Sequence, residues 1–233
     1  MEKTIDGKEL GYIVVRKNLR AKHYSLRVVE GKVIATIPKS GTESGILSLI
    51  ESERERLRII LAKSLRRPIL NEDCQMKTNT FTLHISRSQR TNIYISLKEK
   101  KLHIVCPDET DFDDERIQQK LWSIFIKAVR FEAVRILPSR LEMIASRHGF
   151  HYTGVTIRNT KTRWGSCSSK KRINLSSLLM QLPDHLIDYV LLHELCHTIE
   201  MNHSERFWAL MDKVTNGNAQ KLRKELRGVR VHN

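Results

Sequence analysis

A chain of 233 residues with 40% hydrophobic and 29% charged side chains holds enough apolar material for one full core or two small ones, which excludes a disordered or fibrous protein. Lys and Arg number 41 against 26 Asp and Glu, a formal net charge of +15 that attracts polyanions, nucleic acid among them. No apolar run approaches the ~20 residues of a membrane span, the N-terminal stretch holds no signal-peptide core, and Cys74, Cys106, Cys167 and Cys196 form no Cys-x-x-Cys pair; a cytoplasmic protein with free thiols and no membrane contact is expected.

Short strands are predicted at Gly11 to Arg16, Tyr24 to Val29 and Val33 to Ile37, the last two joined by a turn around Glu30-Gly31-Lys32. Ile46, Ile50, Leu57, Ile60, Leu61 and Leu65 keep helical spacing from Glu43 to Arg66, and Pro68 closes that pattern. Two or three further strands follow, built on Phe81 to Ile85, Ile93 to Ile95 and Leu102 to Val105. Residues 1–107 thus read as a strand-rich N-terminal region with one helix. Composition then turns acidic from Asp108 to Glu115 and leads into a long helix bearing Ile117, Leu121, Trp122, Phe125, Val129 and Ile136, with a kink or restart expected at Pro138 and an end at Gly149. Val155 to Arg158 is a strand, Lys161 to Arg172 a polar loop, and Ile173 to Ser176 a short strand at a sheet edge. Residues 108–233 are accordingly a second, helical region, separate from the first or continuous with it.

The chemistry gathers near the C-terminal end. Asp184 follows Pro183 and caps a helix on which His193-Glu194-Leu195-Cys196-His197 lies. Histidines four apart project from one face, so two imidazoles converge on one ion while Glu194 reaches the ion's water; zinc is the metal this spacing suits. A catalytic zinc takes three protein ligands and keeps one position open. Glu200 lies about 10 Å beyond His193 if the helix continues, which favours His203, swung back by a turn in which Asn202 ends the helix and Ser204 caps the next one. Glu200 or a distant residue is the alternative. Cys196 faces the core as a small apolar residue.

Three segments carry a resemblance: Thr162-Arg-Trp-Gly-Ser-Cys167, Ile187-Asp-Tyr-Val-Leu-Leu-His-Glu-Leu-Cys-His197 and Asn202-His-Ser-Glu-Arg-Phe-Trp208. In these the chain resembles the YgjP-like metallopeptidases and, more distantly, the SprT-like zincins. The resemblance implies an α+β fold whose helical C-terminal part is a zincin-like core with a small antiparallel sheet. It also implies His193, His197 and His203 as zinc ligands, Glu194 as catalytic acid or base, and an antiparallel edge strand beside the cleft, for which Ile173 to Ser176 is the candidate. On that basis Trp164, Ile173, Asn174 and Leu175 are candidate substrate-binding residues, an extended peptide adding to the strand through its main chain.

The expected activity is a zinc-dependent metallopeptidase in which Glu194 takes a proton from the attacking water. Arg163, or a backbone N–H of Trp164-Gly165-Ser166, is the candidate partner for the oxyanion; otherwise Trp164 packs the loop and Arg163 pairs with a nearby acid. Two rival readings use the basic surface: a metal-dependent hydrolase of nucleotides or other phosphorylated compounds, and a nucleic-acid-associated zinc protein. The bland alternative for that surface is a solvated basic face, since few aromatics are interleaved for base stacking.

Overall fold

In the computed structural model, which describes residues 2–29, 32–64, 68–160, 162–229 and 231–232, the chain divides into two units, Met1–Pro68 and Ile69–Asn233. The first begins with β1 (Glu2–Asp6), β2 (Tyr12–Lys17), β3 (Ser25–Val29) and β4 (Lys32–Ile37). Their order is β1-β2-β4-β3, with β2 and β4 parallel and the two outer pairs antiparallel. Period-two alternation puts Ile13, Val15, Val33 and Ala35 on the inner face. Ile46 and Ile50 of α1 (Glu43–Ser52) and Leu57 and Leu61 of α2 (Arg54–Ser64) complete that core.

The expected single helix is thus two, because Glu53 (φ −101°, ψ 8°) leaves the helical region. The expected Glu30-Gly31 turn and the helix end at Leu65 and Arg66 lie outside the described residues. Arg54, Arg56 and Arg58 pair with Glu51, Glu53 and Glu55, so part of the positive charge is tied up locally.

In the second unit β5 (Thr82–Ser88), β6 (Tyr94–Lys98) and β7 (Lys101–Pro107) form a sheet of order β5-β7-β6. Behind it runs α3 (Glu115–His148), capped by the Asp114 carboxylate, which accepts the Arg116 and Ile117 N–H groups, and ended by Gly149 at φ 71°. The Phe81 and Phe125 rings meet edge to face at 5.9 Å, so the composition shift at Pro107 falls inside one shared core. The helix does not restart at Pro138 but runs on through it, with Leu137 and Leu141 on either side of the proline fully buried.

A second sheet joins β8 (Gly154–Arg158), β9 (Gly165–Cys167) and β10 (Arg172–Ser176) in the order β8-β10-β9, with β10 parallel to β8 and antiparallel to β9. This corrects the placing of Ile173 to Ser176 at an edge. Ile173 and Leu175 are fully buried and β10 is the central strand, its backbone paired on both sides; the edges are β8 and β9, the latter three residues with no apolar alternation to announce them. Three helices follow: α4 (Asp184–Cys196), α5 (Glu205–Val214) and α6 (Ala219–Gly228). No helix among the described residues is long and apolar enough to cross a membrane.

Arg140 of α3 fixes the start of α4. Its Nε donates to Asp188 at 2.6 Å, Nη2 to the Asp184 carbonyl at 3.0 Å, and Nη1 to the Asp184 carboxylate. The arginine is mostly buried while both carboxylates reach water, so its removal takes its hydrogen bonds and its packed stem from the start of α4. We expect Arg140→Ala to lower the unfolding free energy by about 2 kcal/mol in urea denaturation; an unmoved midpoint would mean the contact contributes nothing to anchoring α4.

Candidate metal centre

α4 is apolar nearly all round, with Leu186, Ile187, Val190, Leu191, Leu195 and Cys196 in the core, so its last turn is held rigidly. His193 and Glu194 lie in that turn and His197 caps it. The helix stops at Cys196, six residues before Asn202, and Asn202 has no positive φ; the turn is made instead by Thr198, whose hydroxyl donates to the Leu195 carbonyl at 2.7 Å, and by the Glu200 N–H, which donates to the Cys196 carbonyl at 2.9 Å. That turn brings the Glu200 carbonyl to His197. A carbonyl only accepts, so His197 Nδ1 carries the hydrogen at 3.0 Å and Nε2 keeps its lone pair.

His203 comes back to the same point because Ser204 caps α5, its hydroxyl accepting the Phe207 N–H. His193 Nε2 stands 3.2 Å from His197 Nε2 and 3.0 Å from His203 Nε2. Nitrogens at zinc-ligand distance in a tetrahedron are separated by about 3.3 Å, close to both values. Phe207, fully buried, stacks on His197 at 4.5 Å, and Trp208 stacks on His203 at 5.9 Å, so the rings are braced by the start of α5. Burial, followed by the neighbouring His197, His203 and Arg223 charges, pushes His193 down to about 3, which keeps its imidazole neutral. His203 is lowered as well, by burial first and then by the His197 and Arg223 charges. Three imidazoles with converging nitrogens are a donor set that fits a divalent ion.

Glu194 faces the strand side. A Cβ on Gly165 of β9 would lie 2.6 Å from Glu194 Oε1, so the strand backbone rests directly on this carboxylate and only glycine fits there. Its other oxygen, Oε2, is buried without a hydrogen-bond partner among the described residues, and burial pushes the carboxyl up to about 8. Residues 162–165 are fixed from behind by Thr160 Oγ1 donating to the Arg163 carbonyl and the Ser176 N–H donating to the Trp164 carbonyl.

A cavity of about 300 Å³ opens on His193, Glu194 and His203. Of the sequence candidates Trp164 lines it; Arg163 is exposed and does not, while Ile173 and Leu175 sit in the core and Asn174 binds Arg158 and Ser166. Cys196 is fully buried, its thiol pushed up to about 12 by burial, as suits a core residue. Tyr189, Arg223, Leu226 and Arg227 also line the cavity. Of these, the two arginines were visible in the sequence only as part of a basic surface, and Leu222 and Leu226 were the one faint signal that α6 packs inward.

The YgjP-like, metallopeptidase domain profile matches residues 22–228, nearly the whole chain and all of this constellation. The chain belongs to the YgjP-like metallopeptidase family. As a YgjP-like protein it is a metal-dependent peptidase, and a divalent metal and peptide or protein substrates go with that membership. Among solved structures, the crystal structure of the metallopeptidase zymogen of Pyrococcus abyssi abylysin is 28% identical, covers 37% of this chain and 87% of that one, and has a TM-score of 0.34. None of the curated proteins matches.

Proposed function

We propose that this YgjP-like chain is a zinc-dependent peptidase in which His193, His197 and His203 hold the ion and Glu194 is the general base. The observation that carries the reading is the convergence of three imidazole nitrogens beside an unpartnered buried carboxylate in one cavity. Imidazole donors suit zinc rather than the magnesium of phosphoanhydride chemistry, which takes oxygen ligands, and so favour a peptide carbonyl as the target. Bound zinc supplies Lewis acidity, polarising that carbonyl and lowering the pKa of a coordinated water toward ~7.

The chain's own residues do the rest. Glu194, held against Gly165, accepts the water's proton on its carboxylate; its apolar surroundings strengthen its hold on that proton until the departing amine takes it. A substrate strand aligns along the free side of β9, whose other side is committed to β10, and the Gly165 N–H, which the register turns away from β10, is the candidate partner for the oxyanion. Trp164 forms the wall against which the substrate lies.

Elemental analysis of protein purified without an affinity tag tests this. About one zinc per chain is expected, lost in His193→Ala and in His203→Ala. Protein that neither contains zinc nor takes it up when supplied would sink the zinc assignment.

A further inference from the structure

Two cationic side chains line the cavity that the hydrolytic scheme leaves without a task. Arg223 and Arg227 lie four residues apart on α6, hence one turn apart on one face, and both reach the cavity beside His193 and His203. The Arg223 guanidinium lies 4.6 Å over the Trp208 ring, and Trp208 is itself stacked on His203. Arg223 is therefore held at a fixed place relative to the histidines.

No carboxylate among the described residues pairs with either arginine. Two acids on and beside α6 are engaged elsewhere: Glu225 binds His185 at 2.6 Å, and Asp212 accepts the Ala219 N–H. Among the described residues Glu194 is the one acid lining the cavity, and it is committed to the reacting water in the scheme above. The remaining wall is apolar or aromatic, with Trp164, Val190 and Leu226. Two guanidinium groups in a concave, largely apolar setting repel each other and attract an anion more strongly than they would on open surface.

We propose that Arg223 and Arg227 form a carboxylate-binding subsite, so that the enzyme selects peptides carrying an acidic side chain or a free C-terminal carboxylate next to the bond being cut. A guanidinium fork matches a carboxylate with two parallel N–H···O bonds, and a fork already stacked on tryptophan loses little freedom in making them. Placing the cut bond beside this subsite rests on the peptidase reading; the affinity of the arginines for a carboxylate does not.

The test uses zinc-loaded Glu194→Ala protein, which leaves peptides intact, with binding read from the fluorescence of Trp164 and Trp208 in the cavity wall. Acetylated hexapeptides are titrated in two matched pairs, Glu against Gln with an amidated end, and free acid against amide with no acidic side chain. One pair is expected to differ by at least about tenfold, which identifies the source of the carboxylate. On the same background Arg223→Gln with Arg227→Gln should reduce that ratio to about twofold or less at unchanged zinc content.

Equal binding of all four peptides overturns the proposal. So does a preference that survives the double glutamine variant, because the metal would then be the anion's partner, and so does tighter binding of a phosphoserine peptide than of its Glu counterpart. Repeating the titrations after chelation separates the two readings: protein without zinc affinity fails as a zinc peptidase, while the ratio within whichever pair discriminates still decides whether the arginines take a carboxylate.

Discussion

Glu194→Gln is expected to lower hydrolysis of fluorescein-labelled casein by at least about 10²-fold while leaving the zinc content unchanged, and at the same time to make the chelated protein more stable. The two effects share one cause. Glu194 is buried with one oxygen unpartnered, and burial raises its carboxyl from 4.5 to about 8. In the unfolded chain the proton leaves near 4.5; in the folded chain it is kept until about 8. Between those values the folded state must hold a proton that the unfolded state has released, so wild-type stability falls as pH rises through that window.

Glutamine is neutral in both states and removes the slope. Melting temperatures of the chelated wild-type protein and the chelated Glu194→Gln variant should therefore coincide near pH 4.5 and separate by pH 8, the variant being higher. A Glu194→Gln enzyme with wild-type turnover would end the general-base assignment, and a variant that melts lower at pH 8 would mean the carboxylate is satisfied in solution.

Gly165→Ala should be nearly as damaging, although it touches neither a metal ligand nor the base chemically. The new methyl would stand 2.6 Å from Glu194 Oε1 and 2.7 Å from its Cγ, and the carboxylate is buried, with little room into which to swing. Displacing the base by even about 1 Å costs on the order of 10²-fold in turnover, so a fall of that size is expected in kcat with zinc still bound. Stability should fall as well, and most of the lost stability should return in a Glu194→Ala background, where the obstructing atoms are gone. Full activity in Gly165→Ala would show that β9 yields easily, which would remove its role as the platform under the base.

How far these features could be read in advance depends on what signals them. α4 and α5 were legible because each has its own punctuation: Pro183 opens one, although Asp184 is its first helical residue and not the cap expected, Ser204 caps the other, and two histidines four apart on an apolar helix leave little else to build. The approach of His203 followed from ligand reach once a turn was assumed, although the turn is made by Thr198 and Glu200 rather than by Asn202. Strand order was not legible. Ile173 and Leu175 announce a strand, but alternation says which residues are strand and not what lies on either side, so β10 looked like an edge while Gly165-Ser-Cys167 looked like loop.

α6 was hidden for a different reason. Only Ala219, Leu222 and Leu226 are apolar between Ala219 and Gly228, and the arginines there merge with a basic composition in which no position stands out. Only the fold places Arg223, half-buried, and Arg227, still exposed, side by side on the cavity lining. Pro138 signals a kink or a restart without choosing between them; that the helix carries on to Gly149 is seen only with Leu137 and Leu141 buried beside it.

The outer support of His197 has an evolutionary consequence. Position 200 serves the site through its main-chain carbonyl, which every amino acid possesses, while its carboxylate takes no part in the triad. The tautomer of His197 is therefore set by the path of the chain and is indifferent to the side chain at 200. Substitutions can accumulate there without disturbing the ring, so long as the turn keeps its course, and a comparison of side chains alone would pass over the group that orients this histidine.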